Sequence, residues 1–155
     1  MSYLSPTLTL LVGAVKKATA SLDRDFNEIE KLQSSVRGYQ NFVSRSFERV
    51  AQTLKGELSR VRPDAVFVDG KPPLSRGCCF MVNPIDGMGN FVRGIPVFAT
   101  TVAYCENGEV KASVVYNRAS DELYFAEKGS GAYKEGFRNH ERLRVSAVKD
   151  GTAAL

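Results

Sequence analysis

Leu8, Leu11, Val12, Val15 and Leu22 recur at the spacing that lays one apolar stripe along an α-helix. Ser5-Pro6 gives this helix an entry, with Ser as N-cap and Pro at the first helical position, where a missing N–H costs nothing. A polar stretch at 33–40, containing Ser34, Ser35 and Gly38, interrupts the pattern. Phe47, Val50, Ala51, Leu54, Leu58 and Val61 then repeat it until Pro63 stops a second helix. From residue 65 the period shortens to β-rich runs at 65–68, 78–82, 97–105, 110–116, 123–126 and 143–145. Between the 97–105 and 110–116 runs stands Glu106-Asn107-Gly108-Glu109, and Asn-Gly is the strongest short hairpin signal because both central residues of the favoured turn need positive φ. The pattern predicts an α+β fold in which two long helices pack on a mostly antiparallel sheet.

In the 97–105 run both alternating sets of side chains are apolar or small, which suits a sheet covered on each face. Two helices account for one face, and no third long helix is evident before Leu155. The expectation is self-association or a protein partner covering the exposed sheet, with 97–116 and 123–126 at or beside the contact. A symmetric dimer is the first form expected.

The chain has 155 residues, 43% of them hydrophobic and 25% charged, enough for one substantial core and far from a disordered composition. One domain over 1–155 is expected, helical over 1–63 and sheet over 64–155. The net charge of +4 lies in the first 62 residues, which carry ten Lys/Arg against six Asp/Glu; the remainder is balanced at eleven each. These cations are scattered along helices rather than gathered in a run, so nucleic acid is not the expected partner, although a basic helical half leaves that alternative standing. Cys78, Cys79 and Cys105 form neither a CxxC pair nor a His-paired spacing, so no disulfide framework or zinc site is implied. With no signal peptide or membrane span in the sequence, a cytoplasmic location is expected.

The informative stretch is Asn83-Pro84-Ile85-Asp86-Gly87-Met88-Gly89-Asn90-Phe91, followed by Gly94-Ile95-Pro96. It resembles the signature D-P-[IL]-D-G-T-x-N-F, then G-x-P, of the inositol monophosphatase family of magnesium-dependent sugar phosphatases. Val114-Val115-Tyr116, Asp121-Glu122-Leu123, the run from Ala126 through Gly131, and Leu143-Arg144-Val145-Ser146 continue the resemblance in order. It covers nearly the whole chain and corresponds to the amino-terminal half of that layered sandwich. It implies a phosphate-monoester hydrolase, magnesium as cofactor and a phosphorylated small molecule as ligand. The chemistry is intelligible: magnesium takes hard oxygen ligands, and two carboxylates three residues apart on a proline-stiffened turn can bracket a metal pair.

The departures fall on the catalytic positions. The family's metal-bridging first Asp corresponds to Asn83, and its second Asp to Asp86. The carbonyl between them corresponds to Ile85, and the phosphate-binding amides to Gly87 and Met88. Asn83 has one neutral carbonyl oxygen in place of a carboxylate, and Met88 a thioether in place of the threonine hydroxyl that positions water. The family's Gly-Glu-Glu ligand is answered only by Asp69, and the acid of F-V-T-x-x-D by Phe47. The W-D-x-A-A-G segment, source of another metal-binding Asp, does not occur in these residues. No catalytic residue is assigned, Asn83 and Met88 being the degenerate positions, and magnesium binding is expected to be weak. The resemblance implies a degenerate site on a non-catalytic scaffold or partner-binding subunit. The alternatives are an enzyme completed by a second chain, or binding of nucleic acid or the transcription machinery through the basic half. Each residue also has a structural reading: Asp86-Gly87 as an ordinary turn, Asn90 as a pin for the loop backbone, His140 as a solvent-exposed loop residue, Lys128 and Arg93 as surface charges.

Overall fold

The computed structural model describes residues 4–32, 36–68, 76–136 and 140–153. Among the described residues three helices come first: α1 (Pro6–Ala18), α2 (Leu22–Leu32) and α3 (Val36–Val61). Seven strands follow in one sheet ordered as in the chain: β1 (Val66–Val68), β2 (Cys78–Asp86), β3 (Ala99–Glu106), β4 (Glu109–Asn117), β5 (Glu122–Glu127), β6 (Gly131–Glu135) and β7 (His140–Leu143). A single-turn helix, α4 (Met88–Phe91), separates β2 from β3. Only β1 and β2 run parallel; every other neighbour pair is antiparallel. The α+β expectation holds, with a mixed sheet.

The helical part differs from the sequence reading in having three helices. The stripe from Leu8 to Leu22 stays in phase, yet α1 stops at Ala18, where Thr19 turns with φ −92° and ψ 0° and its hydroxyl donates to the Val15 carbonyl at 2.8 Å. Leu22 instead opens α2, whose first turn carries Asp23 and Asp25, acids that favour a helix amino end. Of the predicted break at 33–40, residues 36–40 are helical because α3 begins at Val36; residues 33–35 lie outside the described residues. Ser5 caps α1 as the sequence requires: its hydroxyl accepts the Leu8 N–H at 3.1 Å and donates to Glu127 at 2.8 Å, tying the helix entry to β5. Ser5→Ala is expected to cost about 1 kcal/mol in a urea melt.

Asp25 is 1% exposed and its carboxylate accepts from Arg49 of α3 at 2.7 Å. Arg24 stands 3.8 Å from the other oxygen. The Arg49 side chain is 43% exposed and that of Asp25 2%, so the two halves of the pair are not equivalent. Removing the cation strands a buried charge, whereas removing the acid leaves a guanidinium that water reaches. Arg49→Met should therefore lower unfolding free energy by about 3 kcal/mol. Asp25→Asn should lower it by about 1 kcal/mol. Equal losses in denaturant titration would contradict this asymmetry.

Alternate strand residues build the core. Phe80, Val102, Tyr104, Val114, Tyr116, Leu123 and Phe125 point to the helix side and are buried with Leu11, Val15, Val50, Leu54 and Leu58. The register puts Met81 against Ala103, Asn83 against Thr101, Ala103 against Ser113 and Thr101 against Val115 on the opposite face. On that face Val115 is 38% exposed, whereas Cys79 and Cys105 are buried. The expectation that the helices cover one face is met. Strands β3, β4 and β5 are interior; β1 and β7 form the edges.

The hairpin at Asn107-Gly108 forms as expected, with φ of 52° and 79°. Two strand assignments need correction. A strand absent from the predicted runs, β6, pairs along its length with β5, and Tyr133 stacks on Phe125 at 5.6 Å. The last strand is His140–Leu143 rather than 143–145, and Val145 beyond it is 96% exposed. His140 is accordingly in a strand, its ring stacked on Tyr133 at 5.4 Å.

Candidate functional site

β2 ends in the signature turn. Asn83 is exposed, while Pro84 and Ile85 are buried and anchor the strand end in the core. The Thr100 hydroxyl donates to the Pro84 carbonyl at 2.7 Å in a buried hydrogen bond, fixing β2 to β3 where the register shifts between Asn83 and Asp86. Asp86 projects into solvent and its Oδ1 accepts the Gly87 N–H at 3.1 Å. Gly87 takes a left-handed conformation, φ 79° and ψ 34°, as N-cap of α4. The Gly87 carbonyl receives the N–H groups of Asn90 and Phe91 at 2.9 and 3.0 Å.

Below the turn, Phe91 packs edge-to-face on Phe98 at 4.9 Å and Phe26 of α2 packs on both. The Asn90 amide donates to the Val97 carbonyl at 2.8 Å and holds the loop closed. Met88 is half-buried and packs on the core, so its thioether serves packing in this position. Arg93 donates back to the Gly89 carbonyl at 2.9 Å.

A cavity of about 600 Å³ opens beside the turn. Its walls include Phe47, Ala51 and Lys55 from α3, Val68 from β1, and Met81 and Asn83 from β2. Thr101 and Ser113 add hydroxyls, and Lys55 is the one charged residue among the described residues of the lining. Two positions that sequence motifs single out, Phe47 and Asn83, thus meet in one space although 36 residues separate them. Asp86 and Gly87 are not among its lining residues, and Asp69 lies outside the described residues.

As a metal site the arrangement is poor. Among the described residues no group of three or more His, Cys, Asp or Glu is placed to hold a metal. Asn83 offers a neutral oxygen, Phe47 none, and Lys55 a positive charge that repels a cation. Magnesium requires several oxygens in near-octahedral array. The described residues of the lining do not by themselves fit it.

A sequence profile described as the inositol monophosphatase family matches residues 3–155. The chain belongs to the inositol monophosphatase family. A Rhizobium meliloti protein named inositol-1-monophosphatase is 41% identical over 149 residues, which cover 94% of this chain and 54% of that protein. The extragenic suppressor protein suhB of Bartonella henselae superposes with a TM-score of 0.75 at 35% identity, over 94% of this chain and 55% of its own. A Vibrio cholerae protein named Nus factor SuhB is 27% identical over 154 residues, covering 97% of this chain and 56% of that protein. The chain therefore spans about half the length of the curated relatives it matches. No described helix of this family member is long and apolar enough to cross a membrane.

Proposed function

We propose that this chain is an inositol-monophosphatase-like protein with a degenerate catalytic site that serves as a non-catalytic scaffold or partner-binding subunit. The observation that carries the reading is the lining of the cavity beside the signature turn: Phe47, Val68 and Asn83 with Lys55, and no carboxylate among its described residues. A two-metal phosphatase stabilises charge developing on phosphoryl oxygens with bridged cations, and such a site needs anions to hold them. Asp86 is the remaining acid of the turn, and its carboxylate occupies the Gly87 N–H that a phosphate would need. A phosphate there would have to displace that carboxylate while facing its charge.

The scaffold reading also draws on the partly exposed sheet face with Thr101, Ala103, Ser113 and Val115, which suits pairing with a second copy or a partner. Calorimetric titration with magnesium is expected to show no saturable binding in the millimolar range. Sedimentation at micromolar concentration is expected to show a dimer. Tight magnesium binding with phosphate release from inositol monophosphate would overturn the proposal.

A second reading, an enzyme of inositol monophosphatase type completed by a separate chain, draws on the retained Asp86-Gly87 turn and on the half-length match. Magnesium would then be held jointly. A third, contact with the transcription machinery through the basic helices, draws on the Nus factor name of the Vibrio cholerae relative. The reading that binding is catalytic separates from both others in a phosphate-release assay with the second chain present.

A further inference from the structure

The three cysteines have no metal spacing along the sequence, but the sheet register rearranges them. Cys79 of β2 stands directly opposite Cys105 of β3, so both side chains lie on one face. Met81, two residues along β2, shares that face, and its Sδ is 3.7 Å from the Cys105 Sγ. The Cys79 thiol is also an electrostatic neighbour of the Cys105 thiol. Cys78 points the other way: its sulfur meets Arg62 at 3.1 Å and Asp64 at 3.2 Å. All three cysteines are free, and Cys79 and Cys105 are 5% and 1% exposed. Burial first, then the Cys79 neighbour, pushes the Cys105 thiol up to about 11.

We propose that Cys79, Cys105 and Met81 form an all-sulfur site for a soft monovalent metal ion of the copper(I) class. Ligand softness and coordination number select the ion. Thiolate and thioether sulfurs favour copper(I), whereas structural zinc takes four ligands from Cys, His and carboxylates. Two cysteines and a methionine cannot complete that set, and among the described residues no third His, Cys, Asp or Glu joins them. For a metal about 2.3 Å from each sulfur, a trigonal arrangement spaces the sulfurs by about 4 Å. The 3.7 Å between the Met81 Sδ and the Cys105 Sγ needs little adjustment to meet this. On binding, each cysteine releases its proton to water and donates a sulfur lone pair, and the ion keeps its oxidation state. Met81 lines the cavity beside the signature turn and gives the ion an opening from it.

The test is anaerobic titration of the reduced chain with copper(I) in competition with a chromophoric copper(I) chelator, with X-ray absorption of the loaded sample. One equivalent and three sulfur scatterers are expected. Cys79→Ser and Cys105→Ser should each weaken binding at least 100-fold. Met81→Leu, which preserves volume, should weaken it about tenfold and leave two sulfur scatterers. Cys78→Ser, on the opposite face, should bind as the unaltered chain does. Circular dichroism confirms that each variant is folded; a variant that unfolds is replaced by the alanine version at the same position. Failure of the unaltered chain to compete with the chelator, or loss of binding in Cys78→Ser equal to that in Cys105→Ser, would overturn the site.

Discussion

Inositol monophosphate incubated with this chain and magnesium is expected to release phosphate no faster than in buffer, and two substitutions are expected not to change that by themselves. Asn83→Asp restores a carboxylate at the mouth of the cavity, and Met88→Thr restores a hydroxyl on the turn. Each such contact in a phosphoryl-transfer site is worth on the order of 10²–10³ in rate, but only when the metals it serves are held. With Phe47 in place of an acid and Lys55 in the same lining, a single added carboxylate still faces a cation-repelling wall. The double variant should therefore become active only when mixed with a polypeptide supplying the carboxy-terminal half of a relative. In that mixture it should exceed the unaltered chain by at least about 10³-fold. Phosphate release measured across the four combinations of variant and complement tests this. Turnover by the unaltered chain without a complement would show that its metal site is built from groups other than those the cavity presents.

The parts of this fold that were legible in the sequence are those whose cause is local. Asn107-Gly108 gave away its hairpin because positive φ at two successive positions is a property of those two residues. Ser5-Pro6 announced α1 for a similar reason, and Asp86-Gly87 announced a turn whatever its chemistry. Tertiary causes were less readable. Leu22 keeps the phase of α1 and so conceals the break at Thr19; α2 is fixed instead by the ion pair from Asp25 to Arg49, 24 residues away. β6 was hidden because Gly129 and Gly131 resemble a loop, although their φ of 83° and 95° turn the chain back along β5. The stacking of Tyr133 on Phe125 and His140 then holds three strands that polar residues would otherwise suggest are loop.

The candidate site divides in the same way. The identities at positions 83 and 88 can be compared with a motif, but the motif does not show that Phe47 and Asn83 wall one cavity with Lys55 between α3 and the sheet. Nor does spacing show that Cys79 faces Cys105, which requires the β2–β3 register. The signature turn itself sits on a close backbone crossing that no sequence pattern reports.

That crossing makes Gly87 the position where a small substitution should have the largest effect on stability. Its φ of 79° lies where an L side chain is strained, and a Cβ built there would stand 2.9 Å from the Val97 carbonyl oxygen and 3.3 Å from the Phe98 Cα. Both obstacles are backbone, so no side-chain rotation relieves the contact. The loop cannot retreat freely either: Asn90 clamps the Val97 carbonyl, and Phe98 is buried against Phe91 and Phe26. Left-handed geometry costs roughly 1–2 kcal/mol for an L residue, and a contact relieved only by moving packed aromatic rings adds a comparable amount. Gly87→Ala should therefore lose about 3 kcal/mol of unfolding free energy in urea, and Gly87→Val more, because its branched Cβ tolerates positive φ least. Gly129→Ala provides the control: its φ of 83° carries the conformational cost, but nothing lies within 4 Å of the added Cβ, so its loss should stop at about 1 kcal/mol. If both alanine variants melt alike, the tight approach of the turn to Val97 contributes nothing, and the conformational preference of glycine alone accounts for Gly87.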